Sequence, residues 1–148
     1  MRICGETILE NENIENKRKT LLESIKIAHK NSNFSSLPYP QLVAVSKKQK
    51  EQKIELAIKS GQKIFGENRV QEAQQRWQKR LERYKEIELR LIGPLQTNKV
   101  KQALNLFDII ETIDREKLAK EIANNFNKDS KTKSFYIQIN TGSEIQKS

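Results

Sequence analysis

Short apolar runs recur along the chain at steady intervals, separated by longer stretches in which apolar residues fall at helical spacing. LVAVS (42–46), QKIFG (62–66), LRLIG (89–93), DIIETI (108–113) and SFYIQIN (134–140) read as five strands. Between them, KEQKIELAIKSG (50–61) turns Ile54, Ala57 and Ile58 to one side, with Leu56 at the margin, and closes on Gly61. ENRVQEAQQRWQKRLERYKE (67–86) does the same with Val70, Ala73, Trp77, Leu81 and Tyr84. LQTNKVKQALNLF (95–107) and DREKLAKEIANNFNKD (114–129) complete the series. The last of these spaces Leu118, Ile122 and Phe126 four apart and offers Asp114 as an N-cap. Upstream, residues 6–32 form an imperfect amphipathic helix carrying Ile8, Leu9, Ile14, Leu21, Leu22, Ile25, Ile27 and Ala28. The loop NSNFSSLPYP (31–40) follows, where Pro38 and Pro40 stop the helix.

Strands that alternate with helices through short loops predict a parallel sheet with right-handed crossovers, and so an α/β fold. Continuous apolar strands agree, because parallel strands are covered on their faces. An open doubly wound sheet fits the pattern, and so does part of a (β/α)8 TIM-type barrel. No GxGxxG follows the first strand, so a dinucleotide fold has little support. In both architectures chemistry sits at the carboxyl ends of the strands. That rim would carry Lys47, then Gly66, Glu67 and Asn68, then Gly93, Pro94 and Gln96, then Thr112 and Asp114, then Asn140 and Thr141.

Composition narrows the function classes. The 148 residues suffice for one domain with a core. One cysteine, Cys4, excludes an intrachain disulfide, and neither it nor the lone His29 has ligand-spaced partners, so no metal is expected. His29 lies in the first helix and reads as a surface residue rather than a catalytic one. No apolar run is long enough to span a membrane, and the start shows no secretory signal, so the expected address is cytoplasmic. The net charge of +9 admits a nucleic-acid or anionic-surface binder. The basic residues are spread among glutamates, and the aromatics are too scattered for a stacking surface, so specific nucleic-acid binding is not expected.

Lys47 stands out because a strand delivers it to the reactive rim. A lysine amine freed of its proton by burial or by neighbouring charge forms a Schiff base with an aldehyde, and pyridoxal phosphate (PLP) is such an aldehyde. The competing reading is a lysine that snorkels into solvent. Strand alternation would send Lys47 and Lys48 in opposite directions, so only one can face a site.

AVSK (44–47), FGENRVQE (65–72), IGPLQTNK (92–99), TID (112–114) and IQIN (137–140) resemble, in order, motifs of the pyridoxal phosphate homeostasis protein family. The resemblance covers about residues 40–148. It implies a single-domain PLP barrel related to that of alanine racemase, here incomplete: an N-terminal helix and five β/α units over 40–148. It implies PLP held as a Schiff base without catalytic turnover, in the service of PLP homeostasis, with PLP-dependent apo-enzymes as recipients. Carried over residue by residue, it makes Lys47 the Schiff-base residue and leaves Lys48 outside the pocket. It sets Asn68 beside the cofactor and gives Gln96 and Asn98 to the rim after the third strand. Asn98 also fits an N-cap of the following helix.

Two motifs depart from the family. Lys48, Gln49 and Lys50 stand where Thr-Lys-Pro is usual, and Arg90 stands where a histidine or similar residue is common. Family members run to well over 200 residues, and their last strands carry the loops that hold the phosphate. Against that length this chain reads as C-terminally truncated. Five strands cannot close an eight-stranded barrel, and the first and fifth are expected as open edges. Such a chain could pair with a separate C-terminal half, self-associate, or be a fragment with little function. PLP retention should be weakened without the phosphate loops. A racemase-like enzyme would need a second acid–base group from another domain, which the sequence does not offer.

Overall fold

The computed structural model describes residues 4–142, with side chains from residue 13 onward. The stretch EIQKS (144–148) and the side chains of Ile8 and Leu9 lie outside the described residues. In chain order the elements are α1 (Cys4–Lys30), β1 (Ala44–Val45), α2 (Glu51–Lys59), β2 (Ile64–Glu67), α3 (Val70–Arg83) and β3 (Glu88–Leu91). A single 3-10 turn (Thr97–Lys99) then runs into α4 (Val100–Leu106), followed by β4 (Ile109–Ile113), α5 (Glu116–Asn125) and β5 (Ser134–Ile137). The strands form one sheet in the order β1-β2-β3-β4-β5. This is the α/β alternation that the hydrophobic pattern predicts, with the sheet open rather than closed among the described residues.

The chain divides into two compact units, Met1–Ile64 and Phe65–Ser148. In the first, α2 ends as its sequence requires. Gly61 adopts φ 88°, and its N–H reaches Ile58 O at 2.9 Å while the Gln62 N–H reaches Ala57 O at 3.1 Å. These are the two bonds of a Schellman cap, and a Cβ would be strained at that φ. Arg18 of α1 supplies a second cap. Its guanidinium donates to Ser60 O (2.9 Å), Gly61 O (2.8 Å) and Gln62 Oε1 (3.1 Å). A cation at a helix C-terminus also complements the macrodipole. The Gln62 amide then donates to Leu42 O and Ile64 O, both at 2.8 Å, which fixes the ends of two strands. Helix α2 buries Ile54, Leu56 and Ile58, so Leu56 lies inside and Ala57 takes the margin, the reverse of the expected assignment. His29 is half-buried, edge-on to Tyr39 at 5.5 Å between ring centroids. Tyr39 Oη in turn donates to Leu22 O at 3.1 Å.

In the second unit Val70, Ala73 and Trp77 of α3 are buried, with Phe65 of β2 stacked 4.7 Å from the Trp77 ring. Glu67 is also fully buried. Its Oε1 accepts from Arg76 Nη1 (2.8 Å) and Trp77 Nε1 (3.0 Å), so α3 holds one oxygen of the carboxylate that ends β2. Strands β3, β4 and β5 are parallel, with Leu91 opposite Ile110 and Ile110 opposite Phe135. Leu89, Leu91 and Ile110 are buried, while Glu88, Arg90 and Glu111 alternate with them as a half-buried polar row. Arg90 donates to Glu88 Oε1 (2.6 Å) and Glu111 Oε1 (3.2 Å). Partial burial opposes its charge, but the two carboxylates outweigh that, and its pKa lies above the usual arginine value. Near the amino ends of these strands, Asp108 accepts from Leu89 N–H (2.9 Å) and from Lys131. The buried Thr132 hydroxyl donates to Phe107 O (2.9 Å). At the far edge Tyr136, Ile137 and Ile139 are exposed, as an open edge strand implies.

Three expected boundaries move. Helix α3 starts at Val70, because Glu67 belongs to β2. The segment after β3 begins as a 3-10 turn rather than an α-helix at residue 95. Helix α5 begins at Glu116, with Arg115 and not Asp114 as its N-cap. The Asp114 carboxylate is engaged instead by Arg115 Nη1 at 2.6 Å. Phe126, expected on the inner stripe, is the C-cap of α5 and is exposed, edge-on to Phe135 at 5.4 Å.

Arg18→Met should lower stability by about 1–2 kcal/mol, since three charge-assisted bonds to a helix end are lost. Urea unfolding checks this: an unchanged midpoint would show that the Schellman bonds alone hold the end of α2.

Candidate functional site

The carboxyl ends of β2, β3 and β4 are tied into one rim by backbone contacts. Ile92 N–H donates to Glu67 O at 2.9 Å, and Thr112 Oγ1 donates to Gly93 O at 2.6 Å. Gly93 presses directly on Asn68. A Cβ built on Gly93 would lie 2.3 Å from Asn68 O and 2.6 Å from Asn68 Cα. Both atoms are backbone and cannot swing aside, so any side chain at 93 must push the two strand ends apart. Arg115 extends the same support, donating from Nη2 to Leu95 O at 2.8 Å. The sequence GENR…IGPLQ…TID thus builds a close-packed polar ledge.

The residues singled out from sequence fall as follows. Asn68 is half-buried directly after β2, its backbone held against Gly93. Gln96 is exposed and is the N-cap of the 3-10 turn, with no side-chain cap bond. Asn98 is exposed within that turn, and the N-cap of α4 is Lys99, so the capping reading of Asn98 is incorrect. The 3-10 start displaces the helix by the residues that a cap at 98 would have needed. In the first unit Lys47 is exposed, two residues past β1.

The strand argument about Lys47 and Lys48 also needs correcting. The strand ends at Val45, and the next four residues form a turn closed by Gln49 N–H to Ser46 O at 3.1 Å. Lys48 has φ 58°, the only non-glycine residue with positive φ among those described. The two lysines therefore lie in a turn, where pleat alternation does not apply. Glycine or asparagine usually fills such a position.

The comparisons with known proteins bear on this ledge. No protein-family model matches the chain. It is 39% identical over 135 residues to the pyridoxal phosphate homeostasis protein of Buchnera aphidicola from Schizaphis graminum, spanning 91% of this chain and 58% of that one. It is 40% identical over 110 residues to the protein of that name from Vibrio alginolyticus, spanning 73% of this chain and 47% of the other. The chain is a homologue of the pyridoxal phosphate homeostasis proteins. It spans about half the length of the curated relatives it matches. Among solved structures it is similar to PipY of Synechococcus elongatus, determined with PLP bound, at a TM-score of 0.61 and 34% identity over 76% of this chain and 47% of that one. A second neighbour, an unknown protein from Bifidobacterium adolescentis, superposes at a TM-score of 0.67 with 28% identity over 78% of this chain and 50% of its own. As a homologue of the homeostasis proteins, the chain keeps AVSK, FGEN and IGPLQ at the ends of successive strands. Among the described residues no helix is long and apolar enough to cross a membrane.

The rim cations are what sequence reading overlooked. Arg69, Lys99 and Arg115 are the N-caps of three successive helices in the second unit. Arg69 and Arg115 closely follow their strands, whereas Lys99 is reached through the 3-10 turn after β3. That recurrence was readable in the sequence, but the even spread of lysine and arginine masked it.

Two substitutions test this geometry. Gly93→Ala should cost about 3 kcal/mol, since the added methyl runs into the backbone of Asn68. An unfolding midpoint like that of the unaltered chain would mean the strand ends separate freely. Lys48→Gly should raise stability by about 1 kcal/mol by relieving the left-handed residue. A lower midpoint would show that Lys48 makes a contact that outweighs its strain.

Proposed function

We propose that the chain binds pyridoxal 5'-phosphate through Lys47 and serves PLP homeostasis rather than catalysis. The observation that carries this is the AVSK motif, which resembles the family's, in a chain whose homologues are named for PLP homeostasis, together with the exposed Lys47 just past β1. The residues present suit the cofactor. An accessible primary amine is what an aldehyde requires. Imine formation joins Nζ to the aldehyde carbon and releases one water.

The roles of Asn68, Gln96 and Asn98 as cofactor contacts belong to the same proposal. Asn68 has the stronger support, because Gly93 and Thr112 fix its backbone. Gln96 and Asn98 are exposed, so their side chains are free to turn toward a ligand. A reversible covalent anchor without a second acid–base group suits storage and release, with PLP-dependent apo-enzymes as recipients. An address in the cytoplasm is part of this reading, since such recipients work there.

Addition of PLP to the purified chain should produce the absorbance of a protein imine, and borohydride reduction should fix it at one position. Peptide mapping is expected to place that adduct on Lys47, with the signal lost in Lys47→Ala and kept in Lys48→Ala. Equal labelling of many of the lysines, or an unchanged signal in Lys47→Ala, would overturn the proposal.

A further inference from the structure

The second unit holds a cleft of about 500 Å³ that shares Gln96 with the PLP proposal and otherwise lies outside it. Arg69, Lys99 and Arg115 line it, with Gln96 beside them and no acidic side chain among the lining residues. Pro94 and Leu95 form an apolar wall. The three cations arrive from three separate segments, after β2, β3 and β4.

Their placement is electrostatically costly in the empty protein. Each is a helix N-cap, a position where the helix dipole favours negative charge and where Ser, Thr, Asp or Asn normally accepts from the first turn. None of the three helices has a side-chain cap bond. Local carboxylates offset part of this. Glu72 Oε1 accepts from Arg69 at 3.1 Å in an exposed pair, and Asp114 Oδ1 accepts from Arg115 at 2.6 Å. Lys99 is half-buried, and its amine makes no hydrogen bond or ion pair among the described residues. A half-buried, unpartnered ammonium between two arginines would be stabilised by an anion.

We infer that this cleft binds a small phosphomonoester. The dianionic phosphate would lie against Lys99, Arg69 and Arg115. The organic part would lie on Pro94 and Leu95, with Gln96 able to donate to an ester or ring oxygen. A phosphate dianion suits a cleft lined by three cations better than a carboxylate does, and charge-assisted bonds of this kind are the strong ones. The cations cluster in one cleft, whereas a nucleic-acid backbone needs a continuous basic strip. This assignment does not depend on Lys47.

Phenyl phosphate is the probe, because it carries the phosphate and a ring but no aldehyde. Calorimetric titration of the whole chain at low ionic strength should show saturable one-to-one binding, with inorganic phosphate competing. Lys99→Gln and Arg69→Gln should each weaken it by about tenfold. Lys99→Arg should restore most of the affinity, and Lys101→Gln, an exposed lysine on α4 outside the cleft, should leave it unchanged. Circular dichroism establishes that each variant is folded. The inference is overturned if binding does not saturate or if Lys99→Gln binds like the unaltered chain. It is equally overturned if Lys101→Gln weakens binding as much, or if a single-stranded oligonucleotide binds more tightly at equal ionic strength.

Discussion

The rim of the second unit depends on one steric constraint: the backbones of Gly93 and Asn68 approach too closely for any side chain at position 93. That approach lets the ends of β2 and β3 share a ledge, and the hydrogen bonds around it follow. The Ile92 N–H can reach Glu67 O only because the chains are this close, and the Thr112 hydroxyl then satisfies the carbonyl of Gly93 from the next strand. Arg115 does the same for Leu95. A loop so fully bonded holds Asn68 and the start of the following turn in one geometry. Binding sites benefit from such pre-organisation, since less freedom is lost when a ligand arrives.

The two ends of this sheet divide the work. At the amino ends, Asp108, Lys131 and Thr132 bond to one another's elements and hold the strand starts together. At the carboxyl ends Asn68, Gln96 and Asn98 are exposed or half-buried, while the backbone beneath them is fixed. Parallel β/α folds place chemistry on that second rim because helix N-termini and strand C-termini meet there. The buried Glu67 links the rim to the core. Its carboxylate is held by two residues of α3, so the strand that delivers Asn68 and the helix behind it move together.

The sequence revealed the order of elements because burial imposes it. Trp77, Leu118 and Ile122 point inward at helical spacing, and Leu89, Leu91 and Ile110 at strand spacing. It was less informative where local geometry overrides pattern. The 3-10 turn at Thr97–Lys99 has no hydrophobic period of its own, so a cap was expected at Asn98 and found at Lys99. The turn at Lys48 was hidden because lysine gives no sign of a left-handed backbone. The motif residues were legible as a set, since AVSK, FGEN and IGPLQ all fall at strand ends. How tightly Gly93 packs against Asn68 was not, because a glycine in a sequence does not announce what it touches.

Charge explains why the basic cleft escaped notice. Twenty lysines and eight arginines are distributed so evenly that no window of sequence looks like a site. The sheet converts sequence separation into proximity by stacking successive β/α units side by side. Arg69, Lys99 and Arg115 are thirty and sixteen residues apart, yet each is the N-cap of the α-helix that follows a strand. A parallel sheet repeats that position every unit, so residues invisible as a cluster in the chain become one in the fold. Net charge therefore says little here about partners. What matters is which cations recur at the step where strand becomes helix, and whether local carboxylates already claim them. Arg69 and Arg115 are partly claimed and Lys99 is not, which makes the lysine the residue on which an incoming anion has the most to gain.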